Sequence, residues 1–137
     1  MKNNGKDAEA AFVAHWEKRG HIERIRDSAD LRGLNGGRSI ADFKKPSDFL
    51  VSSAVDPLHF AEVKSTTSKT SFPFGNIEDG QHVAAIKSAR RGDGGYTFYI
   101  FAYATSTWYT MSCKQYAQIH ESGRRSVKFE ELSLWIK

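Results

Sequence analysis

From Tyr96 to Ala104 the chain reads Tyr-Thr-Phe-Tyr-Ile-Phe-Ala-Tyr-Ala, an almost unbroken aromatic and β-branched run without a charge. A strand with one wet face alternates apolar and polar residues, so a run that does not alternate needs cover on both sides. It is too short to cross a bilayer as a helix. The chain must therefore place other layers above and below this strand. Its 137 residues, of which 39% are hydrophobic and 12% aromatic, are enough for one domain with a real core.

The flanking segments supply those layers. Between Asp7 and Arg19 the apolar residues Ala8, Ala11, Phe12, Val13 and Trp16 fall at helical spacing, with His15 beside them and Gly20 as the expected stop. Residues 21–26 alternate loosely and read as a first strand. Ser47 to Ser52 and Leu58 to Ser65 read as two strands joined at an Asp56-Pro57 turn. Thr66 to Gly75 reads as a polar loop. A second helix is predicted from about Ile77 to Arg91, with Asn76 as N-cap and the glycines of 92–95 as the stop. Trp108 to Met111 reads as a neighbouring strand. Ser112 and Gln115 match a capping box for a helix ending at Gly123, and the tail from Val127 packs or pairs. This order predicts an α/β domain spanning residues 1–137, with a mixed β-sheet flanked by helices. A glycine- and arginine-rich loop or short stalk at about 27–45 interrupts it.

Charge and cysteine content narrow the function. Lysine and arginine number 20 against 16 acids, a net charge of +4 that suits a polyanionic partner without requiring one. The single cysteine, Cys113, excludes an intrachain disulfide and a cysteine-based zinc site. The polar start of the chain lacks the apolar stretch of a signal peptide, so a cytoplasmic location and no membrane association are expected.

Chemistry concentrates on two strands. In Ala61-Glu62-Val63-Lys64, alternation puts Glu62 and Lys64 on one face. If the preceding strand pairs antiparallel with this one, Asp48 lies close to Glu62. Two carboxylates brought together repel unless a cation or a proton intervenes, and hard oxygen ligands of this kind select magnesium, or manganese in its place. A neighbouring lysine orients water or offsets charge building on a phosphate. The bland alternative is a cross-strand Glu–Lys pair on a solvated face, worth only a few tenths of a kcal/mol.

The surroundings favour the catalytic alternative. Lys45-Pro46-Ser47-Asp48-Phe49, Glu62-Val63-Lys64-Ser65-Thr66, Lys69-Thr70-Ser71-Phe72-Pro73-Phe74 and a helical Gln81 occur in that order. Together they resemble the RecU-type Holliday junction resolvases of the PD-(D/E)xK nuclease superfamily. The likeness runs from about Pro46 to Ile86, and Lys69–Pro73 is its most specific part. It implies a restriction-endonuclease-like core, a homodimer, a bacterial or phage-infected host cell, and paired phosphodiester hydrolysis across a branched four-way DNA junction. Asp48 and Glu62 would be metal-binding carboxylates, the Val63 carbonyl a third ligand and Lys64 the catalytic lysine. Glu9 would hold the metal through water or help fix a second one, and Gln81 would position water or phosphate. Arg26, Arg32, Arg38, Lys44, Lys45 and Lys69 are the expected DNA contacts. Other DNA substrates (a flap, a nick or a specific duplex sequence) and a catalytically silent DNA-binding module are the alternatives.

Other residues are read more plainly. The histidines, His15, His21, His59, His82 and His120, lack zinc-ligand spacing. Phe72 and Phe74 are expected to pack on their own domain rather than stack on bases. Arg90-Arg91 and Arg124-Arg125 are read as solvated pairs at helix ends, with phosphate contact as the alternative.

Overall fold

In a computed structural model, which describes residues 4–26, 45–91 and 95–136, the apolar run forms β5 (Tyr96–Ala102) inside a six-stranded sheet. The order across the sheet is β1 (Gly20–Arg24), β2 (Phe49–Ser53), β3 (His59–Thr66), β5, β6 (Thr107–Ser112) and β8 (Ser133–Ile136). β3 and β5 run parallel, and the other neighbouring pairs are antiparallel. The protein is thus an α/β domain with a mixed sheet. Among the described residues no helix is long and apolar enough to cross a membrane.

Both faces of β5 are covered, as its composition requires. On one face lies α1 (Asn4–Glu17), whose Ala8, Phe12 and Trp16 pack on Phe49, Val51, Ala61, Val63 and Tyr99. Phe12 is wholly buried, with its ring centroid 4.8 Å from that of Tyr99 and 5.4 Å from that of Trp135. On the other face, α2 (Asp79–Arg91) and α3 (Cys113–Glu121) contribute Ala85, Cys113 and Tyr116 against Tyr96, Phe98, Ile100 and Met111. Each fully buried large side chain of this kind stabilises the fold by roughly 1.5–3 kcal/mol.

Among the described residues the buried polar side-chain atoms all have hydrogen-bond partners. The Trp16 indole N–H donates to the Ser52 carbonyl at 3.1 Å. His59 is buried with Nδ1 2.8 Å from the Pro57 carbonyl and Nε2 2.8 Å from the Tyr99 hydroxyl. A carbonyl only accepts, so Nδ1 carries the proton and Nε2 accepts from Tyr99.

Several local expectations are corrected. Gly20 does not end the helix; it opens β1, paired with Ser53. A Cβ there would lie 2.1 Å from the Ser52 carbonyl oxygen, so the strand pairing needs a residue without a side chain. The polar loop after β3 contains β4 (Ser71–Pro73), which pairs antiparallel with β7 (Ser126–Lys128). That pairing buries Phe72 completely and Phe74 almost so, which rules out base stacking by either ring in this conformation. Asn76 is not an N-cap: it ends a 3-10 turn over Phe74–Asn76, and the second helix begins only at Asp79. At α3 the Ser112 hydroxyl accepts from the Gln115 N–H at 3.1 Å, but the Gln115 amide donates to Glu131, leaving half a capping box. Gly123 follows with a positive φ of 85°, as a helix-ending glycine should. The segment at about 27–45, apart from Lys45, lies outside the described residues.

Replacing Gly20 with Ala forces β1 and β2 apart and should cost about 1–3 kcal/mol of stability. Gly75→Ala, where a Cβ meets nothing within 4 Å, should stay within about 0.5 kcal/mol of wild type. Denaturant unfolding of the two variants checks both values.

Candidate active site

The β2–β3 register determines what meets at the site. Phe49 pairs with Ala61, so Asp48, the residue before β2, falls opposite Glu62. The two segments then clasp each other. The Asp48 backbone N–H donates to Glu62 Oε1 at 3.0 Å, and the Val63 N–H donates to Asp48 Oδ2 at 3.1 Å. Behind them, the Ile25 N–H donates to the Asp48 carbonyl at 2.9 Å, and the Tyr96 hydroxyl donates to the Pro46 carbonyl.

Each carboxylate has a cationic neighbour. Lys64 Nζ lies 3.3 Å from Glu62 Oε2 and donates to the Asn76 carbonyl at 2.7 Å. Lys45 Nζ lies 3.5 Å from Asp48 Oδ1. Asp48, Glu62 and Lys64 therefore converge.

Burial sets the electrostatics. Glu62 is only 2% exposed. Desolvation, and then the charge of Asp48, push its pKa up to about 8; the Lys64 ammonium works against this without reversing it. Metal-free, this side chain holds its proton well above the ordinary carboxylate range. Glu9, half-buried on α1, is also raised, first by desolvation and then by Asp48. It is paired with Arg24 at 3.4 Å. Glu9 thus lies within electrostatic reach of Asp48.

The remaining expected site residues are placed unevenly. Gln81 is buried, and its Oε1 accepts the Glu78 N–H at 2.9 Å, so the side-chain oxygen closes the first turn of α2. Val63 meets the site through its N–H. Arg26 and Lys69 are exposed. Arg32, Arg38 and Lys44 lie outside the described residues. Sequence reasoning missed Tyr96, fully buried beneath the site, whose hydroxyl pKa is raised by desolvation, then by Glu62 and Asp48. Inside an apolar run a tyrosine reads as core. The available signal was its position two residues before Phe98, which pairs with Glu62 and so puts Tyr96 on the carboxylate's side of the sheet.

No protein-family model matches this chain, and no curated protein does.

A divalent cation fits the donor set by its chemistry. Asp48 and Glu62 are hard oxygen donors, and each carboxylate keeps lone pairs beyond the contacts described. The raised pKa of Glu62 marks a place where added positive charge favours ionisation. Among the described residues no group of three or more His, Cys, Asp or Glu side chains is gathered to hold a metal. Magnesium commonly keeps several waters and takes only one or two carboxylates from the protein, so a pair of carboxylates suffices.

The raised pKa makes stability depend on pH. In the unfolded chain Glu62 ionises near 4.5, whereas in the folded protein it does so near 8. Between those values the unfolded chain binds fewer protons, so stability falls as pH rises. In the presence of a chelator the loss should be on the order of a few kcal/mol across that window. Glu62→Gln should remove most of it. Denaturant titrations from pH 4.5 to 8.5 check this, and an unchanged slope in the variant would clear Glu62 as its source.

Proposed function

We propose that this protein is a metal-dependent DNA endonuclease of the PD-(D/E)xK type, acting as a RecU-like resolvase of four-way junctions. The observation that carries this reading is the convergence of Asp48, Glu62 and Lys64 on one side of the β2–β3 hairpin. Supporting it are the order of the Pro46–Phe49, Glu62–Thr66 and Lys69–Phe74 elements and an antiparallel hairpin whose second strand runs parallel to the next long strand. A restriction-endonuclease-like core is the finer description of the fold under this reading.

The residues divide the work as follows. Asp48 and Glu62 would hold a magnesium or manganese ion, with the Val63 backbone carbonyl and, through water, Glu9 as further candidates to hold it. When bound, the ion would supply Lewis-acid activation of the phosphodiester and of the attacking water. Lys64 is held by Glu62 and the Asn76 carbonyl at the edge of the site. There its ammonium offsets charge growing on the phosphate and orients water for attack. Gln81, fixed at the start of α2, positions water or phosphate beside it. Tyr96 keeps the Pro46–Asp48 segment in place. Two copies related by a two-fold axis would match the near-symmetry of a junction and make the paired cuts. Backbone rather than base contacts would dominate binding.

Asp48→Asn or Glu62→Gln should lower magnesium-dependent cleavage of a synthetic four-way junction by at least about a thousandfold while leaving junction binding within a few-fold. Retained cleavage in either variant removes that carboxylate from the mechanism. Parallel assays on linear duplex, flap and nicked DNA test the substrate: equal rates on linear duplex defeat the resolvase assignment but not the nuclease.

A further inference from the structure

Two open cavities meet end to end along the outward face of α2. The first, about 340 Å³, is lined by Pro46, Asp79, Gly80, Val83, Ala84 and Lys87. The second, about 260 Å³, shares Ala84 and Lys87 and adds Phe60, Ser88, Arg91 and Gly95. They form one groove from the start of α2, beside the Pro46–Asp48 segment, to its end. Helical spacing explains the alignment: Gly80, Val83, Ala84, Lys87, Ser88 and Arg91 recur at intervals of three and four. The floor is apolar, with Val83 48% exposed and Phe60 half-buried. The rim carries two exposed cations, Lys87 and Arg91, one turn apart, and Ser88 lines the same part of the groove. Among the described lining residues the one carboxylate, Asp79, stands at the end nearest the candidate active site.

We infer that this groove binds the sugar-phosphate backbone of one DNA strand on its way to or from the scissile phosphate. The inference rests on the DNA-nuclease reading and extends it to a surface that reading does not use. Charge complementarity and continuity identify the occupant: cations line the distal part, while Pro46 at the near end is two residues from Asp48. From Gly80 to Arg91 the helix rises about 16 Å. That is about five nucleotides of a B-form strand at 3.4 Å each. The apolar floor takes sugars and base edges, and Lys87, Ser88 and Arg91 take phosphate oxygens.

The test measures binding of a fluorescently labelled four-way junction by anisotropy, in chelator, over a series of salt concentrations. Proteins compared are the wild type, the Lys87→Ala/Arg91→Ala double variant, and an Arg90→Ala/Lys114→Ala control. The control removes the same charge from a separate cavity of about 270 Å³, which those two residues help to line between α2 and α3. The Lys87/Arg91 variant should bind roughly tenfold more weakly, with the salt slope flattened by about 1.4 to 1.8, the loss of two phosphate contacts. The control should stay within about twofold of wild type, because it removes charge without a contact. Equal losses in both variants, an unchanged slope, or no DNA binding by the wild type would overturn the groove. Cleavage of the same junction by the wild type in magnesium is scored separately. Binding through the groove without cleavage defeats the nuclease reading alone, and cleavage with an unaffected Lys87/Arg91 variant defeats the groove alone.

Discussion

The carboxylate of Glu62, taken almost wholly out of water, is the constraint around which the rest of the site is arranged. Burying an ionised group is costly unless it is paired and hydrogen-bonded, and apolar residues of similar size often stabilise such a position better. Here the surroundings offset only part of the cost: one backbone N–H, one lysine and an unhelpful second carboxylate. The strand carrying Glu62 sits between two apolar clusters and would pack readily around a leucine or methionine. Stability therefore does not explain a glutamate there. A buried group held away from its ordinary protonation state, beside a second carboxylate and a lysine, is a candidate for a functional position.

The rest of the fold serves to keep Asp48 and Glu62 in register. A slip of one residue between β2 and β3 would turn Glu62 toward α1 and Val63 toward α2, exchanging a carboxylate for a valine at both places. Three contacts resist this from outside the hairpin. The Ile25 N–H holds the Asp48 carbonyl, Tyr96 holds the Pro46 carbonyl, and Gly20 lets β1 close against Ser52. They come from segments before and after the hairpin in the chain, so the site depends on the whole sheet rather than on one turn.

Much of this was legible in the sequence, and the parts that were not share a cause. The β5 run, the period of α1, the β2–β3 hairpin and the Ser112 cap are local signals, and the structure contains each within a few residues. The pairing of β4 with β7 joins segments more than fifty residues apart through three residues each, which no local pattern announces. Gly20 followed the same rule: locally it resembles a helix stop, and only the approach of Ser52 reveals its use. At the site, the face shared by Glu62 and Lys64 followed from strand period alone. The Lys45–Asp48 ion pair spans only three residues and is local, whereas Arg24 as the partner of Glu9 and Tyr96 beneath the site are tertiary placements.

Those placements leave a particular electrostatic balance. Among the described residues, Glu9 faces Arg24, Asp48 faces Lys45 and Glu62 faces Lys64, one cation for each carboxylate. Once Glu62 is ionised, an incoming phosphodiester adds a negative charge that these three pairs have no surplus of positive charge to receive. If Lys45 or Lys64 turns toward the phosphate, it leaves a carboxylate uncompensated, and at Glu62 that carboxylate is buried. The conflict is resolved by a proton on Glu62 or by a cation shared between the carboxylates and the phosphate. Only the second releases both lysines while keeping the carboxylates ionised, and it makes phosphate and cation binding mutually reinforcing. Under the nuclease reading, the poor compensation of Glu62 is thus what couples the two ligands.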